Sequence, residues 1–428
     1  MSKYACNTER VVGFEMEYSP SVYILESSGS QKSRSIIETP IQGIEDIIAS
    51  KFGSVSSGFL GNAFKSYIDG DLNELCTPEC YPDKIGVVQL ASEAIMEDSL
   101  SIFISQNEHS YGKLDYLLPL RVSGETRSSG YHENYQVLCY DTKDIVPFLI
   151  GYAATQSVWS GQGEYIAKSG TYQIAQKVNT DIRGSDSAVC IKDSGDLEAD
   201  TFFKRFEFRR QNYPLSYWQL KNRAAFTSAV IRLADSGQID STYTVYGSQT
   251  ENYKKISLNP DEKLDLYSGK KYTSAEYQLM LAEKVISVGK KYNFPEYEVN
   301  AAKEVAEVCE NLISGYRSLV ANEVPWIRKL QIIESIAPRS LENTVSDDDS
   351  LLAKSLCIAC DSLGYGGLTE VIRKRQTKDR ISSEAVNSAI TDPPCIPIAK
   401  LRALNIRENH NNDKPYWAYW MSATLTSH

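Results

Sequence analysis

The amino-acid sequence predicts an α+β fold: a curved, mostly antiparallel sheet packed by helices, with a small C-terminal domain appended. Three observations predict it. The first half is built of short runs rich in β-branched and aromatic residues, punctuated by turn residues. One long segment with apolar residues three and four apart interrupts those runs. The second half turns helical.

The first strand is "VVGFEMEYSP" (11–20). In an extended strand alternate side chains share a face, which sends Phe14, Met16 and Tyr18 to the core and leaves Gly13, Glu15 and Glu17 on the other side. Two carboxylates about 6 Å apart repel by roughly 2–3 kcal/mol at an effective dielectric near 20. Two accounts fit that pairing. One is a solvated sheet face, common in antiparallel sheets. The other is a hard divalent cation, which takes oxygen ligands and binds through one or two carboxylates.

The next strand candidate, "NAFKSYIDGDLNELCTPEC" (62–80), carries Asp69, Asp71, Glu74 and Glu79. A long helix follows over 86–106. The strand "SSGYHENYQV" (128–137) then places His132 and Asn134 on one face, with Glu133 and Tyr135 on the other. In "FKRFEFRRQN" (203–212), Arg205, Glu207 and Arg209 share a face. Each row has a plain reading alone: a turn at Asp69-Gly70-Asp71, a structural histidine, a surface charge ladder. Lining one concave surface, the rows would offer carboxylates and a histidine to metals and arginine pairs to phosphates. The sequence has no GxxxxGK[ST] loop, so a bound nucleotide would depend on carboxylate-held Mg²⁺.

Helices are expected over 214–237, which opens on Pro and closes on Gly, and around 273–292, 296–320 and 324–336. The run "SDDDS" (346–350) reads as the cap and first turn of a helix over 351–363, where negative charge suits the helix N-terminus. Cys357 and Cys360 form a CxxC among helical apolar residues, with no second Cys/His pair nearby, and read as buried structural thiols. The basic run "IRKRQTK" (372–378) reads as a solvated helix face. The expected boundary separates a catalytic domain over 1–363 from a small C-terminal domain over 364–428.

With 42% hydrophobic residues in 428, the chain can bury a large core. A formal net charge of −10 argues against a nucleic-acid backbone binder. The opening "MSKYACNTER" has no apolar stretch, so no signal peptide is expected. The longest apolar runs are too short to span a bilayer. Nine cysteines spread over this length fit reduced thiols. A cytoplasmic protein without membrane or nucleic-acid partners is expected.

The motifs "GFEMEY", "YIDGDLNELCTPEC" and "SSGYHENY" resemble consecutive motifs of Pup ligases and depupylases, the carboxylate–amine ligase branch of the glutamine synthetase superfamily. Further echoes follow in order: "PFLI" (147–150), "SGQG" (160–163), "TYQIAQK" (171–177), "PWIRKL" (325–330) and "DPPCIPIAKLRAL" (392–404). The resemblance spans most of the chain and implies a glutamine synthetase-like catalytic domain that cradles Mg²⁺-ATP on its sheet. It places Glu15 and Glu17 on the metal-binding ExE strand. Tyr67 and Asp69 fall on the strand with the catalytic aspartate, with Glu74 as a further acidic ligand, and His132 and Asn134 lie near nucleotide and metals. The fourth strand departs from Pup ligases, which resemble His-x-x-x-Gly-Asp-Ser-Asn there. This chain's "RFEFR" is similar to the Arg-x-Glu-x-Arg of glutamine synthetases, in which the Glu (here Glu207) binds metal and an Arg (here Arg205 or Arg209) steadies phosphate. Only about fifty residues separate Glu15 from Asp69, without the long insertion of depupylases, which resembles the ligases.

The implied activity is ATP-dependent carboxylate–amine ligation, forming an amide or isopeptide bond through an acyl phosphate. Asp69 is the expected base toward the incoming amine. The donor would be the carboxylate of a small protein tail, a peptide or an amino acid, and the acceptor a lysine or amino-acid amine. The alternatives are a depupylase-like isopeptidase or amidase that uses bound nucleotide, and a nucleotide-binding module without catalysis.

Overall fold

The computed structural model describes residues 9–25, 34–37, 40–111, 113–120, 131–138, 142–175, 189–192, 203–209, 212–341, 346–364, 366–376, 379–409, 416–417 and 426–427. Parts of the expected motifs (residues 1–8, 128–130, 176–177, 210–211, 365 and 377–378) lie outside them. Residue contacts divide the chain into two units. The first comprises Gly13–Tyr131, Asp361–Glu370 and Ile381–His428; the second comprises Met1–Val12, His132–Cys360 and Val371–Arg380.

Along the chain, β1 (Val12–Tyr18), β2 (Ser21–Leu25) and β3 (Arg34–Ile37) lead into α1 (Ile41–Phe52). Then come β4 (Lys65–Asp69), β5 (Leu72–Cys76), α2 (Ile85–Tyr111) and β6 (Leu114–Pro119). Next are β7 (Tyr131–Leu138), α3 (Thr142–Ser160), β8 (Glu164–Ile166), β9 (Thr171–Gln173), β10 (Val189–Lys192) and β11 (Phe203–Phe208). The helical half holds α4 (Tyr217–Asp235), α5 (Gln249–Leu258), the short strands β12 (Leu264–Asp265) and β13 (Lys271–Tyr272), α6 (Ser274–Gly289), α7 (Glu296–Ile313), α8 (Pro325–Ile336) and α9 (Asp347–Cys360). Then come β14 (Ser362–Gly364), α10 (Thr369–Lys374), α11 (Ser383–Thr391) and α12 (Pro397–Asn409), followed by the short antiparallel strands β15 (Tyr416–Trp417) and β16 (Thr426–Ser427).

In the first unit β1 pairs with β5 and β5 with β4, while a second sheet runs β14-β6-β2-β3; each of these pairings is antiparallel. The alternation in β1 holds as expected: Phe14, Met16 and Tyr18 are buried, and Gly13, Glu15 and Glu17 are half-buried. Tyr18 Oη reaches Ser92 Oγ of α2 at 2.8 Å, so this helix covers the apolar face. The expected single strand over 62–80 is instead a hairpin. Its turn is Gly70-Asp71, with Gly70 at φ +62°, and a positive φ at the first turn position is what a tight hairpin admits most readily at glycine.

In the second unit β7, β11 and β10 form an antiparallel ribbon. Helix α4 begins at Tyr217, later than expected, because Ser216 Oγ accepts the Gln219 N–H and caps it. Its Trp218 and Phe226 pack edge-on around Trp159 of α3, at centroid distances of 5.8 and 6.0 Å. Helix α7 stops at Ile313 rather than near 320, because Gly315 takes φ +78° and a 3-10 turn follows over Arg317–Val320. Helix α9 starts at Asp347, capped by Ser346 Oγ, and buries both Cys357 and Cys360.

The contacts do not set 364–428 apart, as the sequence suggested. Strand β14 pairs with β6, α11 packs against α2, and Arg402 of α12 forms a buried ion pair with Glu79 at 2.5 Å, so most of the C-terminal segment joins the first unit. Among the described residues no helix is long and apolar enough to cross a membrane.

Candidate functional site

Strand register builds the first constellation. Glu17 of β1 lies opposite Glu74 of β5, and Glu74 lies opposite Tyr67 of β4. These three side chains therefore form a row on one face of the ribbon. Asp69 reaches the same place from the hairpin end. One carboxylate oxygen from each of Glu17, Asp69 and Glu74 lies within 4.8 Å of the other two. Glu74 is buried, Glu17 half-buried and Asp69 exposed. Glu15 is on the same face of β1, one pleat away, opposite Cys76.

Tyr67 Oη donates a hydrogen bond to Glu74 Oε1, and the Cys76 thiol lies 3.6 Å from the same oxygen. Burial, reinforced by the Cys76 and Glu74 charges, pushes the Tyr67 hydroxyl up, so it remains a phenol and a donor. Burial and Glu74 likewise push the Cys76 thiol up. The ammonium of Lys65 sits 4.8 Å from the Tyr67 ring centroid. Three carboxylates at this separation, all oxygen donors, fit a hard divalent cation in number and chemistry.

The second constellation belongs to the β7–β11 pair. Asn134 lies opposite Glu207, and Gln136 opposite Arg205. Glu207 is buried, with its Oε1 3.4 Å from His132 Nδ1 and 3.3 Å from Arg209 Nε. The intervening residues Phe206 and Phe208 are buried on the opposite face, as the alternation requires. Glu133 and Tyr135 also point inward. Arg223 Nε of α4 approaches Glu133 Oε1 at 2.5 Å, Tyr135 Oη donates to Glu133 Oε2 at 2.7 Å, and Arg223 Nη1 donates to the Asn212 carbonyl. Burial pushes Glu133 up and Arg223 opposes it. This pair fixes β7 on α4 and with it the direction in which His132 and Asn134 project.

The structure thus brings Glu17, Tyr67, Asp69 and Glu74 together in one unit and His132, Asn134, Glu207 and Arg209 together in the other. Arg205 follows on the same face of β11. Sequence reasoning missed the Tyr67–Glu74 bond and the Arg223 clamp. The first was legible from the Asp-Gly turn signal, since a hairpin there returns Glu74 to Tyr67. Arg223 carried no local signal.

Antiparallel strands that array carboxylates, a histidine and arginines at period two, packed by helices, define an α+β scaffold that carries candidate metal and anion ligands. The chain belongs to the Pup-ligase protein family, whose model matches residues 10–424. It is 22% identical to the Pup–protein ligase of Acidimicrobium ferrooxidans over 391 residues, covering 87% of this chain and 85% of that one. It is 21% identical to the Pup–protein ligase of Bifidobacterium longum over 449 residues, covering 98% and 89% respectively. Its fold matches the Pup ligase PafA in complex with the prokaryotic ubiquitin-like protein Pup, with a TM-score of 0.79 at 19% identity, covering 98% of this chain and 87% of that one. PafA in complex with ADP matches with a TM-score of 0.70 at 19% identity, covering 92% and 90%.

Proposed function

We propose that this chain is an ATP-dependent carboxylate–amine ligase of the Pup ligase kind, forming an amide or isopeptide bond through an acyl phosphate. The observation that carries the proposal is the Glu17–Asp69–Glu74 trio in a chain of this family. The ADP bound by PafA supports the nucleotide, and the Pup held by PafA supports a small protein as the carboxylate donor. A lysine amine is the proposed acceptor. Cys76, Cys80, Cys309 and Cys395 are reduced thiols, which supports a cytoplasmic setting.

Glu15, Glu17 and Glu74 of the first unit, with Tyr67 beside them, and His132 and Glu207 of the second are the groups that would hold Mg²⁺, which when bound offsets charge on the transferred phosphoryl group. Tyr67 keeps one Glu74 oxygen turned toward the trio. Glu207 Oε1 lies 3.3 Å from Arg209 Nε, which limits the rotamers of the guanidinium proposed to meet phosphate oxygens. Arg205, His132 and Asn134 complete the proposed nucleotide contacts. Asp69, exposed at the hairpin end, takes the proton from the attacking amine.

The test is Asp69→Asn. The variant is expected to bind nucleotide within about twofold of the parent and to form no amide. Full amide formation by the variant would remove Asp69 from the mechanism. Cleavage of an isopeptide by the parent, without ATP turnover, would favour the depupylase-like alternative instead.

A further inference from the structure

The β4–β5 hairpin, which carries Tyr67, Asp69 and Glu74, is gripped at both ends by the C-terminal segment of the first unit. At its exit Arg402 of α12 donates twice to Glu79, from Nη1 to Oε1 at 2.9 Å and from Nη2 to Oε2 at 2.5 Å. The Ile396 N–H adds a bond to the Glu79 carbonyl at 2.8 Å. At its entrance the chain makes a tight turn just before β4. The Ala63 N–H donates to the Leu60 carbonyl at 3.0 Å, and the Leu60 N–H to the Phe64 carbonyl at 2.8 Å. Arg407 of α12 donates from Nε to the Gly61 carbonyl and from Nη2 to the Thr391 carbonyl of α11, the latter at 2.9 Å. Asn62 Nδ2 donates to the Ile390 carbonyl of the same helix at 2.9 Å.

The entrance turn is strained. Ala63, buried at 2% exposure, takes φ +73°, a left-handed backbone that glycine adopts freely and alanine does not. Such a residue persists only where its surroundings over-determine it. They are tight here: a Cβ on Gly61 would collide with the Phe52 carbonyl oxygen and lie 2.9 Å from Arg407 Cγ. Strand β4 depends on such a hold. It ends its sheet, and β5 is the one strand that pairs with it among the described residues. Relaxation of Ala63 would therefore move the start of β4 and carry Tyr67 and Asp69 with it.

We propose that Arg407 is a positioning residue for the carboxylate trio: its fork ties the strained turn at Gly61–Ala63 to α11 and so fixes where β4 presents Tyr67 and Asp69. The consequence for metal binding rests on the reading of Glu17, Asp69 and Glu74 as ligands. The hold on the turn does not.

The experiment compares Arg407→Met, Ala63→Gly and the double variant in the full chain. Arg407 is exposed, and Met keeps an aliphatic stem against Gly61, so Arg407→Met loses the donors and little packing. Hydrogen exchange in EDTA is the first readout. Amides over 60–69 are expected to exchange faster in Arg407→Met, with those of α2 unchanged. They should return toward the parent's rates in the double variant, where glycine has no strain to release. The second readout is Mn²⁺ titration followed by electron paramagnetic resonance well below Tm, which a loss of global stability alone does not move. Arg407→Met is expected to weaken the Mn²⁺ binding that Glu17→Gln abolishes by roughly tenfold, the scale of losing a residue that orients a metal ligand. Ala63→Gly should restore most of that affinity while leaving the parent's unchanged. Arg407→Lys, which can reach one carbonyl but not both, is expected to fall between Arg407→Met and the parent. Parental exchange over 60–69 in both Arg407 variants would overturn the proposal, as would an additive cycle between Arg407→Met and Ala63→Gly. Unchanged Mn²⁺ affinity beside faster exchange would also overturn it, leaving Arg407 a purely structural contact. A parent that binds no Mn²⁺ would count against the metal reading instead, and exchange would then decide the hold on the turn.

Discussion

Glu17→Gln is expected to stabilise the fold when no divalent cation is present and to blunt its response to Mg²⁺. Glu17 has two carboxylate neighbours, Asp69 and Glu74, each with an oxygen within 4.8 Å. At an effective dielectric of 20, each ionised pair at that distance repels by about 3 kcal/mol. Glu17 is half-buried and Asp69 exposed, so solvent and salt reduce that figure severalfold. A net gain of about 1–2 kcal/mol remains for the variant in EDTA. Magnesium acts in the other direction: at ten times its Kd it stabilises the parent by about 1.4 kcal/mol. The variant, with one ligand oxygen fewer in charge, gains less. Urea denaturation at fixed ionic strength, in EDTA and in MgCl₂, measures both terms. The variant should lead in EDTA, and the parent should close the gap or overtake it in Mg²⁺. A variant less stable in EDTA, or an identical magnesium response in the two proteins, would refute it.

Three further outcomes follow from the same geometry. Tyr67→Phe removes the phenolic donor to buried Glu74 and is expected to cost about 1–2 kcal/mol in urea denaturation, with a weaker magnesium response. Glu133→Gln removes the carboxylate paired with the buried Arg223 guanidinium, for an expected loss of about 3 kcal/mol by the same measurement. Burial raises the pKa of Glu45 above the usual 4.5, against hydrogen bonds from Ser66 and Asn73. The native state thus keeps a proton that the unfolded chain has released, and the stability this group contributes below 4.5 is lost as pH rises through its raised value. Glu45→Gln is therefore expected to match the parent at acid pH and to gain on it toward neutrality, read from urea midpoints across that range.

Local periodicity carried the strands that bear the site. The apolar residues of β1 and the inward Glu133 and Tyr135 of β7 are buried where alternation places them, because a half-buried strand repeats every two residues. Helix boundaries were less legible where capping decided them. Ser216 delayed α4, and Gly315 cut α7 short. Long-range pairings left no local trace: β14 joins β6 across more than two hundred residues, and β2 and β3 were not anticipated. The same limit applied to the site. The individual carboxylates were visible, but the hairpin that returns Glu74 to Tyr67 and Glu17 is a matter of register, and Arg223 comes from a distant helix. A strand pattern names the face of a residue; it does not name the residue that will meet it.

The central claim is tested most directly by incubating the purified chain with Mg²⁺-ATP, hydroxylamine and a pool of carboxylate donors that includes glutamate, Glu-ended peptides and a Pup-like protein tail. The account predicts ADP, phosphate and a hydroxamate formed together, since hydroxylamine intercepts an acyl phosphate, and the responding donor identifies the substrate. AMP and pyrophosphate in place of ADP would contradict it by showing adenylation. Nucleotide binding without any hydroxamate would contradict it as well.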